Sequence, residues 1–156
     1  MASTTVSTGI TLEYEVHGEG DPLLLVMGLG GQLVAWPSSF IAGLVDRGFK
    51  VITFDNRDIG LSTKVDAAPP TKLQSAMFSI SRRFAKSAYL LSDMAKDAVG
   101  LLDALNIERA HVVGMSMGGM IAQTMAIEHP SRVRSLTSIM STTGNPRVGR
   151  PKTTVA

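Results

Sequence analysis

Ser116 sits at the centre of Gly114-Met115-Ser116-Met117-Gly118, directly after the β-branched run that ends at Val113 and just before the small-residue, helix-forming run from Met120 to Ile127. A strand that turns sharply into a helix can present a serine as a nucleophile. The turn lifts the hydroxyl clear of the sheet, and the helix amino terminus behind it favours developing negative charge. Such a turn is strained and crowded. Gly114 and Gly118, two residues to either side of Ser116, lack the Cβ atoms that would clash there. The strand-turn-helix context therefore predicts nucleophilic chemistry at Ser116 rather than an incidental serine in a glycine-rich turn.

The elements that would position Ser116 alternate between strand and helix. Thr4 to Thr8 and Ile10 to His17, separated by Gly9, predict a hairpin, and Gly18 to Pro22 a turn. Leu23 to Met27 is a continuous apolar run, the pattern of a parallel strand buried on both faces, and it ends in Gly28-Leu29-Gly30-Gly31. Trp36-Pro37 opens a helix with an apolar stripe at Phe40, Ile41, Leu44 and Val45, closed at Gly48. Lys50 to Phe54 is the next strand and leads into Asp55-Asn56-Arg57-Asp58-Ile59-Gly60-Leu61-Ser62. Residues 63–90 predict a long excursion with one short helix and a basic surface (Lys64, Lys72, Arg82, Arg83, Lys86). Ser92 is expected to cap a helix running to Asn106, with Met94, Ala98, Leu101, Leu102 and Leu105 on one face. After the Ser116 strand and helix, which stops at Glu128-His129-Pro130, Val133 to Met140 predicts a last strand and the remainder a loop. This order implies an α/β fold with a mostly parallel sheet and an N-terminal antiparallel hairpin. Ligand sites of such sheets lie at the carboxyl ends of the strands. Gly28 to Gly31, Asp55 to Ser62 and Ser116 all fall there.

Composition sets outer bounds. The 156 residues are 44% hydrophobic and 18% charged, which indicates one globular domain. A net charge of +2 is too small to imply a nucleic-acid partner. With no cysteine there is no disulfide and no thiol nucleophile. Without cysteine or clustered histidine, no metal site and no cofactor are expected. The amino terminus does not resemble a signal peptide and no apolar run is long enough to span a membrane, so the chain reads as soluble and cytoplasmic.

Three motifs in this order, Leu23-Leu24-Leu25-Val26-Met27-Gly28-Leu29-Gly30-Gly31, then residues 55–62, then Gly114 to Gly119, resemble the α/β-hydrolase superfamily. The resemblance is to its small-ester hydrolases of the aclacinomycin methylesterase-like and bacterial lipase-esterase type. It implies a serine hydrolase acting on small carboxylic esters through an acyl-enzyme. Ser116 would be the nucleophile, and the backbone N–H groups of Leu29 and Met117 the oxyanion hole. Gly28, Gly114, Gly118, Asp55 and Arg57 would support the elbow and its loops. Met115 and Met117 would shape an apolar acyl pocket.

One feature departs from that pattern. The family's nucleophile is followed by an acid and a histidine, yet the residues after Ser116 contain no Asp, no Glu beyond Glu128, and only His129. His17 and His111 are expected at the far ends of their strands, and His129 at the far end of the nucleophile helix. Residues 1–141 therefore read as the N-terminal part of a hydrolase core, truncated before the cap and last strands, with 142–156 a loop or tail leading onward. Activity of this chain alone is expected to be slight. The apolar last strand (Val133, Leu136, Ile139, Met140) is expected to pair with a complementary C-terminal half or with a second copy. A catalytically inactive binding or assembly module on the same scaffold is the alternative, as are other activities such as cofactor-free haloperoxidase or lactonase. Nucleic-acid binding through Arg147, Arg150 and Lys152 is disfavoured against a solvated linker.

Overall fold

The computed structural model describes residues 1–65 and 87–145. The described strands are β1 (Ala2–Thr5), β2 (Thr11–His17), β3 (Asp21–Val26), β4 (Phe49–Phe54), β5 (Ala110–Met115) and β6 (Val133–Ile139). The helices among them are α1 (Ser38–Val45), α2 (Leu91–Ala104) and α3 (Met117–Glu128). All six strands form one sheet in the order β1-β2-β4-β3-β5-β6. β1 and β2 make the expected hairpin, and β2 runs antiparallel to β4. The β4–β3, β3–β5 and β5–β6 pairs are parallel, so the carboxyl ends of β3, β4 and β5 lie together.

Side-chain alternation explains why this sheet is covered on both faces. Leu24, Val26, Ile52, Phe54 and Val112 face one layer, where they pack with Met94, Ala98, Leu101 and Leu102 of α2 and Ile121, Ala122 and Met125 of α3. Leu23, Leu25, Met27, Val51 and Val113 face the other. There Ile41, Leu44 and Val45 of α1 cover them in part, and Trp36 stacks on Phe40. The predicted stripes of α1 and α2 are thus the faces that pack.

Ser92 is not the cap of α2. Leu90 holds that position, and its N–H donates to the Asp93 carboxylate at 2.8 Å, while the Ser92 hydroxyl donates to Glu128 at 2.6 Å. A carboxylate three residues into the helix does the capping that the hydroxyl was expected to do. The short helix expected within 63–90, most of its basic residues and the arginines of the tail lie outside the described residues. At the other edge of the sheet β6 pairs with β5 alone among the described residues, with Leu136 39% exposed and Met140, just past the strand, 78% exposed. Among the described residues no helix is long and apolar enough to cross a membrane.

Candidate active site

Ser116 has φ 55° and ψ −120°, a conformation that L-residues avoid, between the end of β5 and the first residue of α3. Holding a non-glycine residue there costs about 1–3 kcal/mol and requires support from its surroundings. That support is visible on every side. The Ser116 N–H donates to the Ile139 carbonyl at 2.9 Å, which ties the turn to β6. The Ser116 carbonyl accepts the Gly119 N–H at 3.0 Å and so starts α3. A Cβ on Gly118 would stand 2.1 Å from the Val26 carbonyl oxygen, and one on Gly114 2.2 Å from the Gly118 oxygen. The helix can therefore approach β3 only through glycine.

Gly28 brings the second loop to the same point. A Cβ there would lie 3.1 Å from the Ser116 Cβ and 3.6 Å from its Oγ. Leu29, the next residue, is 80% exposed. Among the described residues, neither the Leu29 nor the Met117 N–H is paired with a backbone acceptor in a turn or loop. Met117 opens α3, so its N–H has no acceptor within its own helix. Gly28 and Met117, the chain neighbours of these two groups, thus lie beside Ser116 in space and in sequence.

The 55–62 loop supports these elements from β4. Asp55 is buried, and its carboxylate accepts the Leu33 N–H at 2.6 Å and the Leu61 N–H at 3.2 Å. Ser62 donates to the Asp55 carbonyl at 2.6 Å and accepts the Glu13 N–H at 2.9 Å. Arg57 reaches into α2. Its Nε and Nη2 donate to both Asp97 oxygens at 2.6 and 2.8 Å, and its guanidinium lies 5.0 Å from the Tyr89 ring centre. The Asp97 hydrogen bond raises the Arg57 pKa against the opposing effect of burial. Tyr89 is pushed up to about 12 by burial and by its hydrogen bond to Asp58. Burial opposes the charge on Asp58, but bonds from the Tyr89 hydroxyl and the Val65 N–H, with Lys64 nearby, hold its carboxyl below the usual range. Thr8 of the hairpin adds a hydroxyl donor to Asp97 at 2.5 Å.

Asn56, Asp97 and Tyr89 are absent from the site residues read in the sequence. Asp97 could have been found as a lone charge on the apolar face set by Met94, Ala98 and Leu101. Its burial at 1% demands a partner. Asn56 and Tyr89 offered no such signal, since both depend on contacts across the fold.

The chain's histidines lie elsewhere. His17 pairs in register with Val51 and His111 with Leu23, at the amino ends of those strands. Five residues of strand separate His111 from Ser116, or about 16 Å. His111 meets the Ser135 hydroxyl at 2.7 Å and the edge of Phe49. His129 follows α3, roughly 20 Å along the helix from Ser116. Among the described residues no group of His, Asp and Glu could hold a metal ion. An open depression of about 490 Å³, lined by Asp103, Asn106, Ile107, Glu108 and Arg132, lies beyond the amino end of β5, on the side of the sheet away from Ser116.

Residues 21–152 match the family described as the alpha/beta hydrolase fold. The chain is 35% identical over 128 residues to rhodomycin D methylesterase DnrP of Streptomyces peucetius, covering 80% of this chain and 37% of that protein. Among solved structures it resembles the enol-lactonase from Burkholderia xenovorans LB400, with TM-score 0.66, 29% identity, and coverage of 85% of this chain and 44% of the other. A carboxylesterase structure from the thaumarchaeon Nitrososphaera gargenis aligns with TM-score 0.72 at 26% identity, over 91% of this chain and 46% of that one. The chain spans about two fifths of the length of the curated relatives it matches.

Proposed function

The chain belongs to the alpha/beta hydrolase fold family, and we propose that it carries the nucleophile and the oxyanion hole of a hydrolase of small carboxylic esters. The observation that carries this reading is the strained Ser116 backbone, with Gly28 packed against its side chain. A strained serine between two loops with unpaired N–H groups is what acyl transfer requires. Ser116 Oγ attacks the ester carbonyl carbon and yields its proton to a base. The carbonyl oxygen becomes an oxyanion held by the Leu29 and Met117 N–H groups. The C–O bond breaks, the alcohol leaves with a proton, and water then releases the acid by the same path. Each oxyanion donor is worth about 3–4 kcal/mol of barrier. Asp55 and Arg57 act as supports, since both are committed to structural bonds.

The base is then not one of this chain's histidines. All three histidines sit far from the elbow. We infer that residues 1–141 serve as the N-terminal part of a hydrolase core, with residues 142 onward leading toward what completes it. A histidine and an acid then come from a complementary C-terminal hydrolase segment, or from a second copy, paired along the open edge of β6. The exposed Leu136 and Met140 support that edge as the contact. A scaffold without its own chemistry is the second reading, favoured by the same distance between serine and histidine.

Chemical rescue separates the two. The full chain is treated with a fluorophosphonate with and without added imidazole, and intact mass is followed. The expected result is slow phosphonylation that accelerates in proportion to imidazole and is abolished by Ser116→Ala. A folded chain that gains no mass even with imidazole would overturn the nucleophile and leave the silent scaffold.

A further inference from the structure

We infer that Asn56 is a positioning residue that holds the Leu29 N–H in place for the oxyanion, an inference that rests on the reading of Ser116 as nucleophile. The β3–β4 ladder ends at the Leu25–Thr53 pair, two residues short of Met27 and Asp55. Beyond it β4 no longer pairs with the 27–33 loop, although β3 stays paired with β5 as far as Val26–Gly114, and the Asp55 N–H is already given to the Glu13 carbonyl of β2. Two consecutive side chains replace the ladder. Asp55 accepts the Leu33 N–H at the far end of the loop, and the Asn56 amide donates to the Met27 carbonyl at 3.0 Å at its near end. Between these anchors the Gly31 N–H donates to the Gly28 carbonyl at 3.2 Å, the Gln32 carbonyl accepts the Ala35 N–H at 2.9 Å, and Leu29 stands 80% exposed.

The Asn56 bond acts where it matters for Leu29. Fixing the Met27 carbonyl fixes the Met27–Gly28 peptide plane, and Gly28 is the residue packed on Ser116. The next peptide carries the Leu29 N–H. Asn56 is 1% exposed, and its Oδ1 has no partner among the described residues, so only the donor end of the amide is used. An aspartate would fill the same space but turn lone pairs toward the Met27 carbonyl. The position therefore needs a donor and not merely that volume.

Asn56→Asp is the test, with Ile107→Val as a mild core change just before β5, at the amino end of the parallel strands. If the aspartate variant does not fold, Asn56→Ser takes its place. Imidazole-rescued phosphonylation is measured against fluorophosphonate concentration, beside amide hydrogen exchange of residues 28–33. The Asn56 variant is expected to lose roughly tenfold or more in maximal labelling rate, since misplacement by an ångström is that costly. Its half-saturating concentration stays within about twofold, because the lost interaction acts on the transition state. Exchange at residues 28–33 rises, while Ile107→Val changes neither quantity. Unchanged exchange would show that Asn56 does not hold the loop. Faster exchange with an unchanged maximal rate would show that the held loop does not serve the reaction. If wild type gains no mass even with imidazole, the nucleophile reading falls and the catalytic half of this inference falls with it, while exchange still decides whether Asn56 anchors the loop.

Discussion

The Arg57–Asp97 pair should dominate the stability of the loop-to-helix junction. Its side chains are 9% and 2% exposed and meet through two charge-assisted bonds of 2.6 and 2.8 Å. Replacing Asp97 with Asn keeps the shape but removes the charge and turns an amide N–H toward the guanidinium. Breaking one side of a buried pair costs about 3–5 kcal/mol, most of it the penalty of a charge left unpaired. The asparagine oxygen can retain one bond, so about 3 kcal/mol is expected for Asp97→Asn. Asp97→Ala also loses the Thr8 hydroxyl contact and should reach about 5 kcal/mol. Against a total stability of about 5–15 kcal/mol, either loss is large. Urea unfolding followed by circular dichroism reads it directly. With a slope of about 2 kcal/mol per molar, the Asn variant should shift its midpoint down by about 1.5 M at unchanged slope. Added salt should matter little, because the pair is shielded from solvent. The double variant Arg57→Met/Asp97→Leu removes both charges and should recover most of the loss. An Asp97→Asn midpoint within about 0.25 M of wild type, or about 0.5 kcal/mol, would refute the reasoning. So would a double variant as unstable as the single one, since packing rather than unpaired charge would then be the cause.

Gly118→Ala should push α3 off β3, because its Cβ would start 2.1 Å from the Val26 carbonyl oxygen. A shift of about 1 Å is needed to clear it, which predicts about 1–3 kcal/mol lost in unfolding experiments and roughly a hundredfold slower Ser116 labelling; wild-type behaviour in both would contradict the close approach. The Tyr89 phenol should ionise late. In a Tyr14→Phe background its absorbance change at high pH should centre near about 12 in the folded protein and near about 10 in urea. Because the folded pKa is raised, this group's stabilisation is complete below pH ~10 and is lost as pH climbs toward the folded value. Tyr89→Phe should abolish that alkaline decline, and its persistence would exclude Tyr89 as the source.

The sequence was legible wherever one local property decided the outcome. β3 read as a doubly buried strand because an unbroken apolar run has no solvent face to offer. The stripe of α2 could be read from its spacing, and all but Leu105 of its predicted face is buried. Its start could not be read, because Ser92 and Asp93 are both competent caps and the choice was made by Glu128 of α3, which takes the Ser92 hydroxyl. The spacing of Asp97 sets it on the apolar face of α2, but its partner could not be read: Arg57 arrives from the loop after β4, forty residues earlier.

By itself the sequence determined the order of elements, the strand-turn-helix around Ser116 and the family, since each follows from runs of adjacent residues and their glycine spacing. The tertiary structure decided what those elements do to one another. It set Gly28 against Ser116 and placed Asn56 and Asp55 at the two ends of the 27–33 loop. These are contacts between residues far apart in the chain. They depend on strand order and register, which pairing and packing of the whole sheet determine and no local run of residues encodes.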